Sequence, residues 1–262
     1  MVTALAEALP GRRIHVVADA AYAGAELKKL PGQVSWTTRL RKDAALYEPA
    51  PPRTGRRGRP RQKGAKLPKL ADLARTATFT PTTVHRYGKT TTVHTATISC
   101  LWYSVFGPQP VTVILVREAE ASRGYDLALV TTQAHATAGQ IVERYASRWA
   151  VEVAIQDAKQ LVGVGQAHNR KARAVQRTVP FGLACLSLAV CWYATAGHHS
   201  DDVTAHRARR PWYRTKTNPS TADMLTKLRR VLIAARFRPA RPEQPTLTEI
   251  QTIRLAWENP AA

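Results

Sequence analysis

The period of the apolar positions changes along the chain, dividing it into an α/β start, a β-rich middle and a helical end. Residues 2–9 (VTALAEAL) repeat with helical spacing and stop at Pro10-Gly11. Residues 13–18 (RIHVVA) form a β-branched run that predicts a buried strand ending at Asp19. Residues 25–30 predict one or two helical turns, and residues 34–40 (VSWTTRL) a second strand. Helix, strand, short helix, strand is an α/β pattern. Between residues 77 and 132 the runs TATFTPTTVHRY, TTTVHTATISCLWYSV, VTVILVRE and DLALVTT predict strands separated by Gly/Pro turns. Only helices follow. Thr137 caps one, with Gly163 and Gly165 beyond its end. A second covers residues 181–193. A third (ADMLTKLRRVLIAARF) opens at Pro219-Ser220-Thr221, with Asp223 as the box partner of Ser220, and a last one spans residues 247–257. There is no internal repeat.

Composition alters this picture in three places. Residues 48–69 carry Pro49, Pro51, Pro52, Pro60 and Pro68 in a basic, glycine-containing run without apolar periodicity, predicting loop or disorder. Lys and Arg number 39 against 18 Asp and Glu, a net charge of +21. That excess points to a polyanion, nucleic acid first and an anionic membrane surface as the rival. Residues 179–196 (VPFGLACLSLAVCWYATA) are uncharged, but Pro180, Gly182 and many small residues make them a core helix rather than a membrane span, which needs ~20 predominantly apolar residues. Cys100, Cys185 and Cys191 lack metal-type spacing and read as buried free thiols in a reducing compartment. The opening MVTALAEALPGRR lacks the basic start and apolar run of a secretory signal.

The chemistry concentrates in residues 145–159 (YASRWAVEVAIQDAK), with the spacing Y-x2-R-x3-E-x6-K. At ~100° per residue, Tyr145, Arg148, Glu152 and Lys159 fall within roughly 60° of one another, along about 21 Å of one helix. Val142, Ala146, Trp149 and Val153 form an adjoining apolar stripe for a core. An acid flanked by cations and a phenol suits a polyanion passing along the helix while the acid holds a metal ion. The plainer reading is an amphipathic helix with an Arg148–Glu152 i,i+4 pair. Asp19 stands at the C-terminal end of a strand, where open α/β sheets place functional groups, or simply caps the turn. Two carboxylates can hold Mg²⁺, and phosphodiester chemistry commonly uses two such ions ~4 Å apart.

These residues resemble the insertion-sequence transposases with a DDE acidic triad. The Y-x2-R-x3-E-x6-K string is similar to their C-terminal signature, and VVADAAYAG to their second-Asp motif, an Asp followed closely by a small residue and an aromatic. The resemblance covers nearly the whole chain. It implies an α/β, ribonuclease-H-like fold with a β-rich insertion between the second Asp and the Glu. By that match Asp19 and Glu152 are catalytic and metal-holding, and Tyr145, Arg148 and Lys159 contact the DNA end. It further implies Mg²⁺ or Mn²⁺, two ions in the intact site. Insertion-sequence ends and target DNA would be partners, with a homodimeric complex, no membrane, and a bacterial cytoplasmic, nucleoid-associated location. The reaction would be hydrolysis of a strand at the element end, then attack by its 3′-hydroxyl on target DNA. The family's first Asp lies on a strand before the position of residues 2–9, and the only acid upstream of Asp19 is Glu7, inside a helix. The expected fold is therefore incomplete. Residues 1–47 would be a partial core, 48–69 a basic linker, and 70–132 the insertion. Residues 133–197 would hold the signature helix and a buried helix completing the core, and 198–262 a C-terminal helical region. Such a chain is expected to be a C-terminal part of a transposase, with two acids of three, an open edge on the second-Asp strand, and little activity alone. The alternative is a non-catalytic DNA-binding remnant that competes with the full-length enzyme.

Other segments offer further contacts. Arg57-Gly58-Arg59-Pro60-Arg61 resembles an AT-hook core for the minor groove. The preferred reading makes residues 53–69 a mobile phosphate-binding loop in which Arg57, Arg59 and Arg61 act without regard to sequence. Trp36, Trp102 and Trp149 are candidates for stacking on an unpaired base, against core packing for each. Family members place an aromatic of the insertion near a flipped base, which singles out Trp102. His198-His199-Ser200-Asp201-Asp202 reads as a solvated loop, and Asn169-Arg170-Lys171-Ala172-Arg173 as further phosphate binding or a solvated face.

Overall fold

The computed structural model describes residues 1–52, 59–118, 124–166, 168, 170–210, 212, 215–236 and 247–258. They form two compact units, Met1–Trp149 and Ala150–Ala262.

In the first unit, helix α1 (Val2–Ala8) is tied to the following strand region by Gln33, whose Nε2 donates to the Ala6 carbonyl at 2.8 Å. Strand β1 (Ile14–Ala18) pairs in parallel with β2 (Val34–Arg39). The crossover that a parallel pair requires is made by two short 3₁₀ turns, Ala20–Tyr22 and Ala25–Lys29. Helix α2 (Leu70–Thr76) then leads into β3 (Thr80–Arg86) and β4 (Lys89–Leu101). After the single turn α3 (Tyr103–Phe106) come β5 (Pro110–Glu118) and β6 (Leu127–Thr131). All six strands make one sheet, ordered β1-β2-β6-β5-β4-β3. The residues expected to form an insertion thus supply four strands of the same sheet, joined to β2 through β6.

Alternation places each face of this sheet against its own core. Val111, Val113, Leu115, Ala128 and Val130 point to one side, among Trp36, Leu46, Leu70, Trp102 and Phe106. Ile114, Val116 and Leu129 point to the other, with Val84, Val93, Ile141 and Val142. Burial on both faces explains why β5 and β6 read as continuous apolar runs. Helix α4 (Ala138–Ser147) covers the second face. It approaches β3 so closely that a Cβ on Gly139 would stand 3.2 Å from the Thr82 side chain, which would have to give by a few tenths of an ångström to admit it.

The parallel and antiparallel parts meet in a chain of buried hydroxyls. Thr37 on β2 donates from Oγ1 to Thr131 Oγ1 on β6 at 2.8 Å. His15 Nε2 lies 3.1 Å from Thr37 Oγ1 and His15 Nδ1 2.7 Å from Ser35 Oγ. The Trp36 backbone and Thr132 close the join, with Trp36 N donating to the Thr132 side-chain Oγ1 at 2.9 Å and Thr132 N to the Trp36 carbonyl at 3.0 Å. With the Thr37 proton committed to Thr131, the arrangement is satisfied by a neutral imidazole carrying its proton on Nε2. Burial, and then the charge of Arg144, lower the His15 pKa from its ordinary value.

The second unit holds α5 (Trp149–Leu161) after its first residue, then α6 (Ala172–Trp192), α7 (Asp202–Arg209), α8 (Thr221–Arg236) and α9 (Leu247–Glu258). A turn of π-helix, Tyr193–Gly197, extends α6. The expectation of a buried helix over residues 179–196 is corrected: Phe181 is 71% and Leu188 69% exposed, and Gly182, Leu186 and Ala189 are the buried positions of α6. Its apolar residues spread around the helix, so neighbours on one side cannot cover them all. By length and composition, Ala172–Gly197, with a mean hydropathy of 1.6, could cross a membrane. The thiol expectation holds for Cys100 alone: it is buried, and burial pushes its pKa up to about 11, whereas Cys191 is exposed.

Replacing Thr37 with Val removes one hydroxyl from the buried chain and should destabilise the first unit by about 1–2 kcal/mol. Thr38 Oγ1 is buried without a hydrogen-bond partner, so Thr38→Val should be neutral or stabilising by up to about 1 kcal/mol. Urea unfolding of the two variants checks this contrast. His15 predicts a pH dependence. Because its folded pKa is depressed, the unfolded chain takes up the proton first as pH falls through ~6.5, and stability declines there. The His15→Gln variant should show a flatter stability profile between neutral and mildly acidic pH than the parent chain.

Candidate functional site

Asp19 directly follows β1 in extended backbone, φ −71° and ψ 159°. The strand delivers it to the sheet's edge, and its exposed carboxylate caps the next turn, Oδ1 accepting from Ala21 N at 3.2 Å. The capping role read from sequence is therefore real, and it engages one oxygen of the pair. The cap also explains the abrupt strand end: the carboxylate satisfies a backbone donor of the 3₁₀ turn that begins there.

The signature string does not lie on one continuous helix. Helix α4 opens with a capping box, Gln140 N donating to Thr137 Oγ1 at 3.3 Å and Thr137 N to Gln140 Oε1 at 3.2 Å. It ends at Ser147, and α5 begins at Trp149. Between them Arg148 keeps near-helical angles, φ −54° and ψ −32°, but its N–H bonds three residues back, to the Tyr145 carbonyl at 3.2 Å. Tightening from an i−4 to an i−3 bond marks a local break. Tyr145 packs partly buried against the core under α4, and the Arg148 guanidinium lies 5.8 Å from its ring centre. Glu152 sits half-buried in the first turn of α5, where the helix dipole favours an acid, and Lys159 is exposed in the last turn, where it favours a cation. Tyr145 and Arg148 belong to the first unit, Glu152 and Lys159 to the second. The adjoining apolar stripe is also corrected. Val142 is buried, but Trp149 is 53% exposed and Val153 is exposed as well, because the stripe does not continue as one core-facing edge past the break.

Oxygen donors such as Asp19 and Glu152 are the right chemistry for Mg²⁺ or Mn²⁺. Among the described residues, however, no group of three or more His, Cys, Asp or Glu stands together as a metal cluster. The residues present do not by themselves make a two-ion centre.

The basic run is where the structure departs furthest from expectation. Arg57 lies outside the described residues, and Arg59 and Arg61 are exposed. Residues 64–67 are not free loop. Tyr47 bridges to Lys66 on one side and to Leu101, the end of β4, on the other. Glu48 N donates to the Ala65 carbonyl, Gly64 N to that of Glu48 and Leu67 N to that of Leu46, each at 2.9 Å. A Cβ on Gly64 would come 2.6 Å from the Pro49 carbonyl oxygen, so only glycine permits this pairing undistorted. Lys63 Nζ stands 3.8 Å from the Tyr47 ring centre and 5.2 Å from that of Tyr103. Sequence reasoning missed Tyr47, Lys63 and Tyr103, because backbone pairing between distant loop segments leaves no periodic signal.

The tryptophan candidates separate by burial. Trp36 is 5% and Trp102 6% exposed, both inside the first core, and Trp102 packs edge-on to Phe106 at 6.0 Å. Base stacking by Trp102 is corrected on this ground, since its ring is enclosed by core side chains. In the second unit, Asp202 is no solvated loop residue. Its carboxylate accepts from Tyr193 Oη at 2.6 Å, from Lys227 Nζ at 2.5 Å and from His199 N at 3.0 Å. Burial alone would raise the Asp202 pKa, but these donors outweigh it and hold the carboxyl below its ordinary value. Burial and then the Asp202 hydrogen bond push the Tyr193 phenol well up. Asp223 is similarly held by Lys216, Ser220 and His206. This network ties α7 and α8 to the end of α6 and reads as packing.

The chain matches no curated protein in sequence. The transposase DDE domain family matches over residues 1–188, a span that takes in Asp19, the whole sheet and the complete Y-x2-R-x3-E-x6-K string. On that match, over well more than half of its length, the chain belongs to the DDE-domain transposases.

Proposed function

We propose that this chain acts in cutting and joining DNA at insertion-sequence ends, with Asp19 and Glu152 as carboxylates for Mg²⁺ or Mn²⁺. Tyr145, Arg148 and Lys159 hold the DNA end, and Arg59 and Arg61 add phosphate contacts. The observation that carries this reading is the family match across residues that include a strand-end Asp and the signature string in the expected order. The net charge of +21 supports a DNA partner. Bound divalent metal would supply charge stabilisation to the attacking and leaving oxygens. The protein's part is to hold it with carboxylates and to fix the phosphates with cations.

Two acids offer few ligands for two ions, so the chain alone is proposed to bind ends well and cleave them poorly. The edge position of β1 in the described sheet fits this, since an edge strand can accept a further strand. A dimeric complex on two ends, in the bacterial cytoplasm and associated with the nucleoid, completes the proposal.

The test is Mg²⁺-dependent cleavage and binding of the matching element end by the 262-residue chain. Asp19→Asn keeps the turn cap, whereas Asp19→Ala would also cost about 1 kcal/mol of stability. The Asn variant, and Glu152→Gln, should each lower any residual cleavage by about 10²-fold while leaving the fold intact. Arg148→Ala and Lys159→Ala should each reduce the slope of log affinity against log salt by about 1. Robust cleavage by the unaltered chain sinks the two-acid reading, and cleavage indifferent to Asp19→Asn sinks that residue's assignment.

A further inference from the structure

We propose that Arg59, Arg61, Lys63 and Lys66 form a fixed ledge for the backbone phosphates of duplex DNA, held rigid by Gly64, Tyr47 and Tyr103. The inference rests on the DNA-acting role above and adds to it a second, preorganised contact surface outside the signature string.

The first ground is attachment. The stretch 64–67 is hydrogen-bonded to residues 46–48, and Tyr47 in turn to Leu101 at the end of β4, its N donating at 2.9 Å and its carbonyl accepting at 2.7 Å. Leu46 and Leu70, on either side of the excursion, are both buried in the core. Lys66 therefore stands on the sheet with Lys63 next to the anchor, and Arg59 and Arg61 line the cleft that adjoins them.

The second ground is how the cations are held. Lys63 lies over Tyr47 and Tyr103, and Tyr103 donates its hydroxyl proton to Gln62 Oε1. Arg59, Arg61, Gln62, Lys63, Gly64 and Tyr103 line an open cleft of about 480 Å³, and that lining contains no Asp or Glu. A basic cleft of this kind concentrates negative charge. A preorganised one also loses less side-chain and loop freedom on binding than a flexible tail would.

The third ground concerns which part of DNA is met. Stacking platforms for unpaired bases need open aromatic faces. Here the Tyr47 ring is covered by the Lys63 ammonium at 3.8 Å. The ledge thus meets phosphates, which carry no base information, and its binding should be indifferent to sequence.

The experiment is fluorescence anisotropy of a labelled, arbitrary-sequence duplex with the full chain in EDTA, across a salt series. Excluding metal separates this proposal from the catalytic reading, which can fail without touching it. Changing Arg59, Arg61, Lys63 and Lys66 together to Ala should lower the salt slope by about 3–4. Gly64→Ala, which changes no charge, should weaken binding roughly fivefold by spoiling the anchor. A thermal melt confirms that both variants fold. An unchanged slope in the quadruple variant overturns the ledge. So does unchanged affinity in Gly64→Ala, which would make the cations a tether, or tighter binding of single-stranded RNA than of duplex DNA.

Discussion

The first unit depends on the seam between β2 and β6. On one side lies a parallel pair with a strand-end acid, and on the other a four-stranded antiparallel meander. Polar side chains are buried in it: Thr37, Thr38 and Thr131 lie fully buried beside Val130 and Leu129. Apart from the unpaired Thr38 hydroxyl, its register is held by paired polar groups: the His15–Thr37–Thr131 chain and the reciprocal bonds between Trp36 and Thr132. Buried hydroxyls cost free energy unless paired, and once paired they fix a single register. A one-residue slip of β2 would exchange its faces, burying Ser35 and expelling Trp36. The geometry around Asp19 follows from that register, since β1 takes its place from β2.

Much of this was legible in the sequence. The β-branched run before Asp19 forms a strand, though a half-buried one at the sheet edge and not the buried strand its pattern predicts. The Thr/Val-rich strands and the capped helix after Thr137 form where expected. The string from Tyr145 to Lys159 was legible as a motif but not as a geometry. Nothing local announces the break at Arg148, which is neither Gly nor Pro and has high helix propensity. The buried helix was misread for the opposite reason: apolar composition reports a capacity for burial, while the neighbours that would cover Phe181 and Leu188 are set by tertiary arrangement. Asp202 looked solvated because its partner Lys227 is 25 residues away.

Charge in this chain is organised at more than one level. Most of the surplus cations lie on the surface, where they raise affinity for any polyanion at low salt. A smaller set is positioned by structure. Lys63 is held by two tyrosines, while Lys216 and Lys227 are spent internally on Asp223 and Asp202. The net charge of +21 already counts those two pairs as neutral, so it measures the surplus but hides where it is aimed.

The order of strands also constrains how the unit comes to exist. Each strand of the meander pairs with a near neighbour in sequence, so β3 to β6 can assemble through short loop closures. The seam cannot, because Thr37 and Thr131 are 94 residues apart. Closing so long a loop costs more chain entropy, and non-local contacts of this kind dominate slow folding. The long-range step is therefore the seam itself, and β1, whose partner in the described sheet is β2, is joined to the meander through it.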